Sequence, residues 1–115
     1  MSVKMYHNPR CSKSRQTLEL LKSNGVEPEL IEYLQDPPTA AELDDVLTRL
    51  GMEPRDLMRK KESGYAQANL GDEALSRAEL IAAMINDPIL IERPIVLANG
   101  KAAVGRPPES VLDII

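Results

Sequence analysis

The only cysteine and the only histidine of the chain stand close together, in Tyr6-His7-Asn8-Pro9-Arg10-Cys11-Ser12-Lys13-Ser14-Arg15. A thiolate is a strong nucleophile, and its chemistry depends on how far its pKa is lowered. Three basic residues, Arg10, Lys13 and Arg15, lie beside it in sequence. Two readings of Cys11 are open. A lone cysteine can be a small buried hydrophobe, or it can be a reactive thiolate in an electropositive pocket; the polar, basic neighbours favour the second. With one cysteine there is no internal disulfide and no self-contained dithiol cycle. Redox turnover at Cys11 therefore needs a second thiol from another molecule. No His, Cys, Asp or Glu grouping has metal-ligand spacing, so no metal is expected.

The elements around this stretch decide what the cysteine can do. Residues 3–6 are a short apolar run, expected as a first strand. Asn8-Pro9 breaks it. Ser14, Leu18 and Leu21 lie on one face of a helix expected from about Ser12 to Asn24, with Gly25 closing it. Cys11 then sits where a strand gives way to a helix. The first helical turn leaves N–H groups without partners and carries the positive end of the dipole. A thiolate there can have its pKa lowered to ~3.5–7.5, and the same N–H groups can bind a tetrahedral oxyanion.

The rest of the chain supplies the frame. Residues 29–34 read as a second strand, completing a βαβ unit with parallel pairing. Gln35-Asp36-Pro37-Pro38 is a loop. Thr39-Ala40-Ala41-Glu42 fits a capping box, followed by Leu43, Val46, Leu47 and Leu50 on one face and Gly51 at the end. Pro54 opens a further turn carrying Leu57 and Met58. Residues 65–70 read as one or two more helical turns. Ser76-Arg77-Ala78-Glu79 is a second capping box, with Leu80, Ile81, Met84 and Ile85 behind it and Pro88 as a stop. Residues 94–98 form an apolar run, and Asn99-Gly100 is a strong signal for a two-residue hairpin turn. Residues 101–105 return as its partner, and Pro107-Pro108 opens a last helix. The order β-α-β, helices, β-β-α predicts an α/β fold: one domain over 1–115, a mixed sheet with a helical insert at about 39–91.

Composition narrows the function classes. The chain has 115 residues, 43% hydrophobic and 28% charged, with a formal charge of −4. Such a balance is ordinary for a globular protein, and it argues against nucleic-acid binding. There is no signal-peptide pattern and no run long enough to cross a membrane, which makes the expected location cytoplasmic, where a free thiol persists.

The topology with a cysteine after the first strand resembles the thioredoxin fold. Four segments together are similar to the glutaredoxin-coupled arsenate reductase family, in its short chromosomal form: Tyr6-His7-Asn8-Pro9 with Cys11 and Ser14-Arg15, Leu57-Met58-Arg59-Lys60, Glu92-Arg93-Pro94-Ile95-Val96, and Gly105-Arg106-Pro107. The resemblance implies that Cys11 attacks the arsenic of arsenate, and that His7, Ser14 and Arg15 help to keep the thiol ionised. It implies that Arg59, Arg93 and Arg106 surround the oxyanion, and that Pro94 is the cis-proline beside the site. It further implies glutathione as a co-substrate rather than a bound cofactor, glutaredoxin as the final reductant, and arsenite as the product. Arginine suits these roles, because a guanidinium stays charged and can hold two oxygens of one anion.

The residues themselves leave alternatives. His7 can tune the thiol or simply be a turn residue satisfied by backbone. Ser14 can touch the thiolate or face inward as a small helix residue. Arg59 can belong to a basic surface with Lys60 and Lys61. Resistance enzymes of the family usually carry small, uncharged residues beside the cysteine, where this chain has Arg10, Ser12 and Lys13. Two other functions stay in view: a glutathione-dependent thiol reductase with another substrate, and a non-enzymatic interaction protein like the Spx regulators. The second lacks support from the thiol inventory, since Ser14 stands where an Spx switch has its second cysteine.

Overall fold

The computed structural model describes residues 2–115. The chain forms two compact units: residues up to Asp36 together with Arg93–Ile115, and Pro37–Glu92. The helical insert expected at 39–91 falls inside the second unit.

In the first unit, β1 (Lys4–Tyr6), α1 (Ser12–Ser23), β2 (Glu29–Ile31), β3 (Ile95–Ala98) and β4 (Lys101–Val104) are followed by a 3-10 helix at Pro108–Ile114. The sheet order is β2-β1-β3-β4. β1 pairs parallel with β2, Met5 opposite Leu30, and antiparallel with β3, Met5 opposite Val96. The central strand β1 therefore delivers its C-terminal end, and with it His7, to the site. The core is Val3, Met5, Leu21, Val96, Ala98, Val111 and Ile114. Alternate strand positions and one stripe of α1 supply it, as half-buried elements require. The Asn99-Gly100 turn has positive φ at both residues, 54° and 73°, the geometry that matches the twist of a hairpin. The strand β2 is shorter than expected, for a local reason. β2 ends at Ile31 because the N–H groups of Gln35 and Asp36 both return to the Glu32 carbonyl, at 2.9 Å each, making a turn that buries Tyr33. The last helix is 3-10 rather than α.

The second unit contains α2 (Ala40–Leu50), a 3-10 turn at Pro54–Leu57, α3 (Ser63–Gln67), α4 (Arg77–Asn86) and a 3-10 turn at Pro88–Leu90. Both expected capping boxes form: Thr39 and Glu42 exchange side-chain-to-backbone bonds at 3.1 and 2.9 Å, and Ser76 and Glu79 at 3.2 and 3.0 Å. Gly51 closes α2 at φ 67°. Leu43, Val46 and Leu47 from α2 and Leu80, Ile81 and Met84 from α4 are buried.

Candidate active site

Cys11 is the N-terminal cap of α1, with extended dihedrals (φ −91°, ψ 124°) and no side-chain hydrogen bond closing the cap. The chain reaches it by a tight turn. Asn8 Oδ1 accepts from the Arg10 N–H at 3.0 Å, and the Asn8 carbonyl accepts from the Cys11 N–H at 3.0 Å. Asn-Pro sequences favour such turns because the Asn side chain can bond its own backbone two residues on.

Behind the turn lies a buried polar network. His7, Asn8, Ser14 and Thr17 are the buried polar or charged side chains among the described residues. Ser14 Oγ accepts from the Asn8 N–H at 3.0 Å and lies 2.6 Å from His7 Nδ1. Burial holds the His7 pKa below its ordinary value; Glu32 opposes that shift and Arg15 adds to it. The lowered pKa favours the neutral imidazole, whose Nδ1 can accept a hydrogen bond from the Ser14 hydroxyl, an assignment made from the network. The network ties the end of β1 to the first turn of α1.

Burial would raise the Cys11 pKa, but the backbone N–H of Ser14, the Arg93 side chain through its hydrogen bond and charge, and the backbone N–H of Lys13 together carry it below the ordinary thiol value. Arg106 Nη2 donates to Cys11 Sγ at 3.6 Å, and its Nε donates to the Arg93 carbonyl at 2.8 Å. The Arg93–Pro94 and Arg106–Pro107 peptides are both cis. The site thus joins a thiol of lowered pKa, helix N–H groups and two guanidinium groups. A tetrahedral anion meeting this sulfur meets fixed positive charge that needs no reorganisation.

The sequence-derived candidates divide by location. Cys11, His7, Ser14, Arg93, Pro94 and Arg106 belong to the first unit and are linked as described. Ser14 serves the sulfur through its backbone N–H, while its hydroxyl serves His7. Arg15 is not among the groups that lower the Cys11 pKa, and it donates Nη1 to the Pro9 carbonyl at 2.9 Å. Lys13 acts on the thiol through its N–H, not its exposed ammonium, and Arg10 is also exposed; water screens such surface charges. Arg59 lies in the second unit. Its Nη1 pairs with Glu92 Oε1 at 3.1 Å and its Nε with Glu62 Oε1 at 3.4 Å, while its backbone N–H donates to the Leu90 carbonyl at 2.7 Å. Sequence reasoning missed the structural parts played by Asn8 and Thr17. The Asn-Pro turn signal pointed toward Asn8, but nothing marked Thr17 as buried. Among the described residues there is no group of three or more His, Cys, Asp or Glu side chains placed to hold a metal. Nor is any helix among them long and apolar enough to cross a membrane.

The model of the ArsC family matches residues 6–114. The chain is similar to uncharacterized protein YfgD of Escherichia coli strain K12, 61% identical over 98% of this chain and 96% of that one. It is similar to an arsenate reductase of Haemophilus influenzae, 47% identical with both chains fully covered. Its fold is similar to the solved structure of arsenate reductase from Vibrio cholerae, with a TM-score of 0.97 at 53% identity, covering 100% of this chain and 98% of that one.

Proposed function

This chain belongs to the ArsC family, and from that premise we propose that it is a thiol-dependent arsenate reductase working in a reducing, cytoplasmic setting. The observation that supports this reading most is the Cys11 sulfur. It lies at the N-terminus of α1 with its pKa lowered, and the Arg106 guanidinium is 3.6 Å away. Relatives named arsenate reductase at 40–47% identity support the choice of substrate.

In this reaction the Cys11 thiolate attacks As(V), and one arsenate oxygen leaves as water after taking up protons. The result is a cysteine–arsenic adduct. Arg93 and Arg106 hold the remaining oxygens and offset the repulsion between an anionic nucleophile and an anionic substrate. His7 and Ser14 hold the loop so that the N–H groups of Lys13 and Ser14 stay aimed at the sulfur. Cys11 has no partner thiol in the chain, so the electrons come from outside. Glutathione supplies the next thiol and glutaredoxin the final one. Across the cycle two thiols become one disulfide, As(V) becomes As(III), and arsenite leaves.

The test is a coupled assay with arsenate, glutathione and glutaredoxin, following NADPH consumption through glutathione reductase. The expected result is turnover in the ordinary enzyme range of ~1–1000 per second, abolished in Cys11→Ser. Equal rates for the wild type and Cys11→Ser would overturn the mechanism. No arsenate turnover, with Cys11 still alkylated rapidly at pH 6, would overturn the substrate and direct the search to glutathione mixed disulfides.

A further inference from the structure

Gly105 is buried at the end of β4, and its N–H donates to the Pro94 carbonyl at 2.9 Å. A Cβ added there would lie 2.5 Å from Thr17 Oγ1, 2.7 Å from Pro94 Cγ and 3.2 Å from Thr17 Cγ2. The first two distances are below 3.0 Å, a separation that real Cβ atoms essentially never show. Gly105 is not among the glycines with positive φ. Its lack of a side chain therefore answers a need for space, not for an unusual backbone.

Neither neighbour can move cheaply. Thr17 is fully buried and β-branched, and its hydroxyl donates to the Lys13 carbonyl at 2.8 Å. Pro94 is a buried ring immediately before β3. Each contact also leads to the sulfur in one step. Thr17 is bonded to Lys13, whose N–H acts on Cys11. Pro94 directly follows Arg93, and Gly105 directly precedes Arg106.

We propose that Gly105 is a positioning residue for the thiolate site: the absence of its side chain lets α1 close against the corner formed by Pro94 and Arg106, and this closure sets both guanidinium groups on Cys11. Adding one methyl group there overpacks the junction. Either α1 lifts, carrying the first-turn N–H groups with it, or the Arg93 and Arg106 segments withdraw. Both movements weaken the hold on the thiolate. The inference rests on the proposed reaction only for the effect on arsenate; the effect on the thiol is independent of the substrate.

The experiment compares wild type, Gly105→Ala and the double variant Gly105→Ala/Thr17→Ala, which deletes both crowded Thr17 atoms. Iodoacetamide alkylation is measured against pH, and thermal melting checks the fold. Gly105→Ala is expected to stay folded, to alkylate at pH 6 about tenfold more slowly, and to need about tenfold more arsenate for half-maximal rate. These are the effects of losing about one charge-assisted hydrogen bond. The double variant should move the thiol titration back toward wild type. A Gly105→Ala protein whose thiol titrates as in wild type overturns the proposal, and so does a folded double variant that keeps the shifted titration. If Gly105→Ala does not fold, the double variant decides: a folded protein with a wild-type thiol supports the proposal, and one equally unfolded overturns it. Failure of wild type to reduce arsenate would leave the thiol comparison intact, so the two readings fail separately.

Discussion

The two units of this chain treat polarity in opposite ways. All four buried polar or charged side chains among the described residues, His7, Asn8, Ser14 and Thr17, lie in the first unit, within one short stretch. The second unit buries apolar side chains such as Leu43, Leu47, Leu57 and Met84. It keeps its ion pairs at least partly in water, as in Arg49–Asp45 and Arg77–Asp44. A buried polar group costs stability unless its bonds are fully met. The first unit carries that cost and offsets it with hydrogen bonds: His7, Asn8 and Ser14 are joined to one another, and Thr17 is bonded to the Lys13 carbonyl in the first turn of α1. The second unit is built on ordinary burial and capping. Both units bury an apolar core, and the first adds buried polar groups beside a reactive atom.

Removing core volume from the second unit should produce the largest effect on stability. Leu47 is fully buried, so Leu47→Ala should lower unfolding stability by about 2–5 kcal/mol, measured by urea denaturation. The thiol titration of the folded protein should not move. A shifted titration would break the contrast between the units.

A substitution in the first unit should reverse that pattern. Arg93→Ala removes a charged donor from Cys11, so the thiol pKa should rise. An oxyanion held by this guanidinium loses about 1.5–3 kcal/mol of binding, read as a higher Michaelis constant for arsenate. The pH dependence has a definite sign. A thiol whose folded pKa lies below its unfolded value adds stability that is present above the unfolded pKa and lost as pH falls through the folded one. Wild-type melting temperature should therefore carry a thiol-linked rise with pH across that window, and Arg93→Ala should flatten it. An unchanged pH slope and an unchanged Michaelis constant would make Arg93 an ordinary cation.

The smallest expected effect sharpens the comparison at an exposed cap. Ser76→Ala removes the side-chain acceptor for the Glu79 N–H. It should cost about 1 kcal/mol of stability, with turnover per folded molecule unchanged. A drop in turnover at equal folded concentration would show that α4 does more than support a core.

Legibility in the sequence follows the same division. The second unit was read almost element by element, because capping boxes and apolar periodicity are local signals carried by neighbours in sequence. The Asn99-Gly100 hairpin was legible for the same reason. β2 was read too long, since Tyr33 looks like a strand residue until Gln35 and Asp36 fold back on Glu32. The location of Cys11 at a helix start was also local. What surrounds the sulfur was not. Arg93 and Arg106 follow from family resemblance, but the bond from Arg106 to the Arg93 carbonyl joins positions that only the sheet brings together. In sequence, flanking charge at Arg10, Lys13 and Arg15 favours a reactive thiolate. In the fold, Arg10 and Lys13 are exposed, and Arg15 is spent on the Pro9 carbonyl. Thr17 gave no signal, because a threonine on a helix face looks the same whether it meets water or a glycine.

The solitary thiol at the start of α1 makes the molecule its own reporter. Every covalent state of the proposed cycle is an addition to the same atom, and no other sulfhydryl in the chain can carry a decoy adduct. Free thiol, arsenic adduct and mixed disulfide with glutathione each differ by a distinct mass. An intact-mass spectrum taken during turnover is therefore a direct census of the catalytic states. The same single attachment point lets one equivalent of a thiol reagent count competent sites in any preparation.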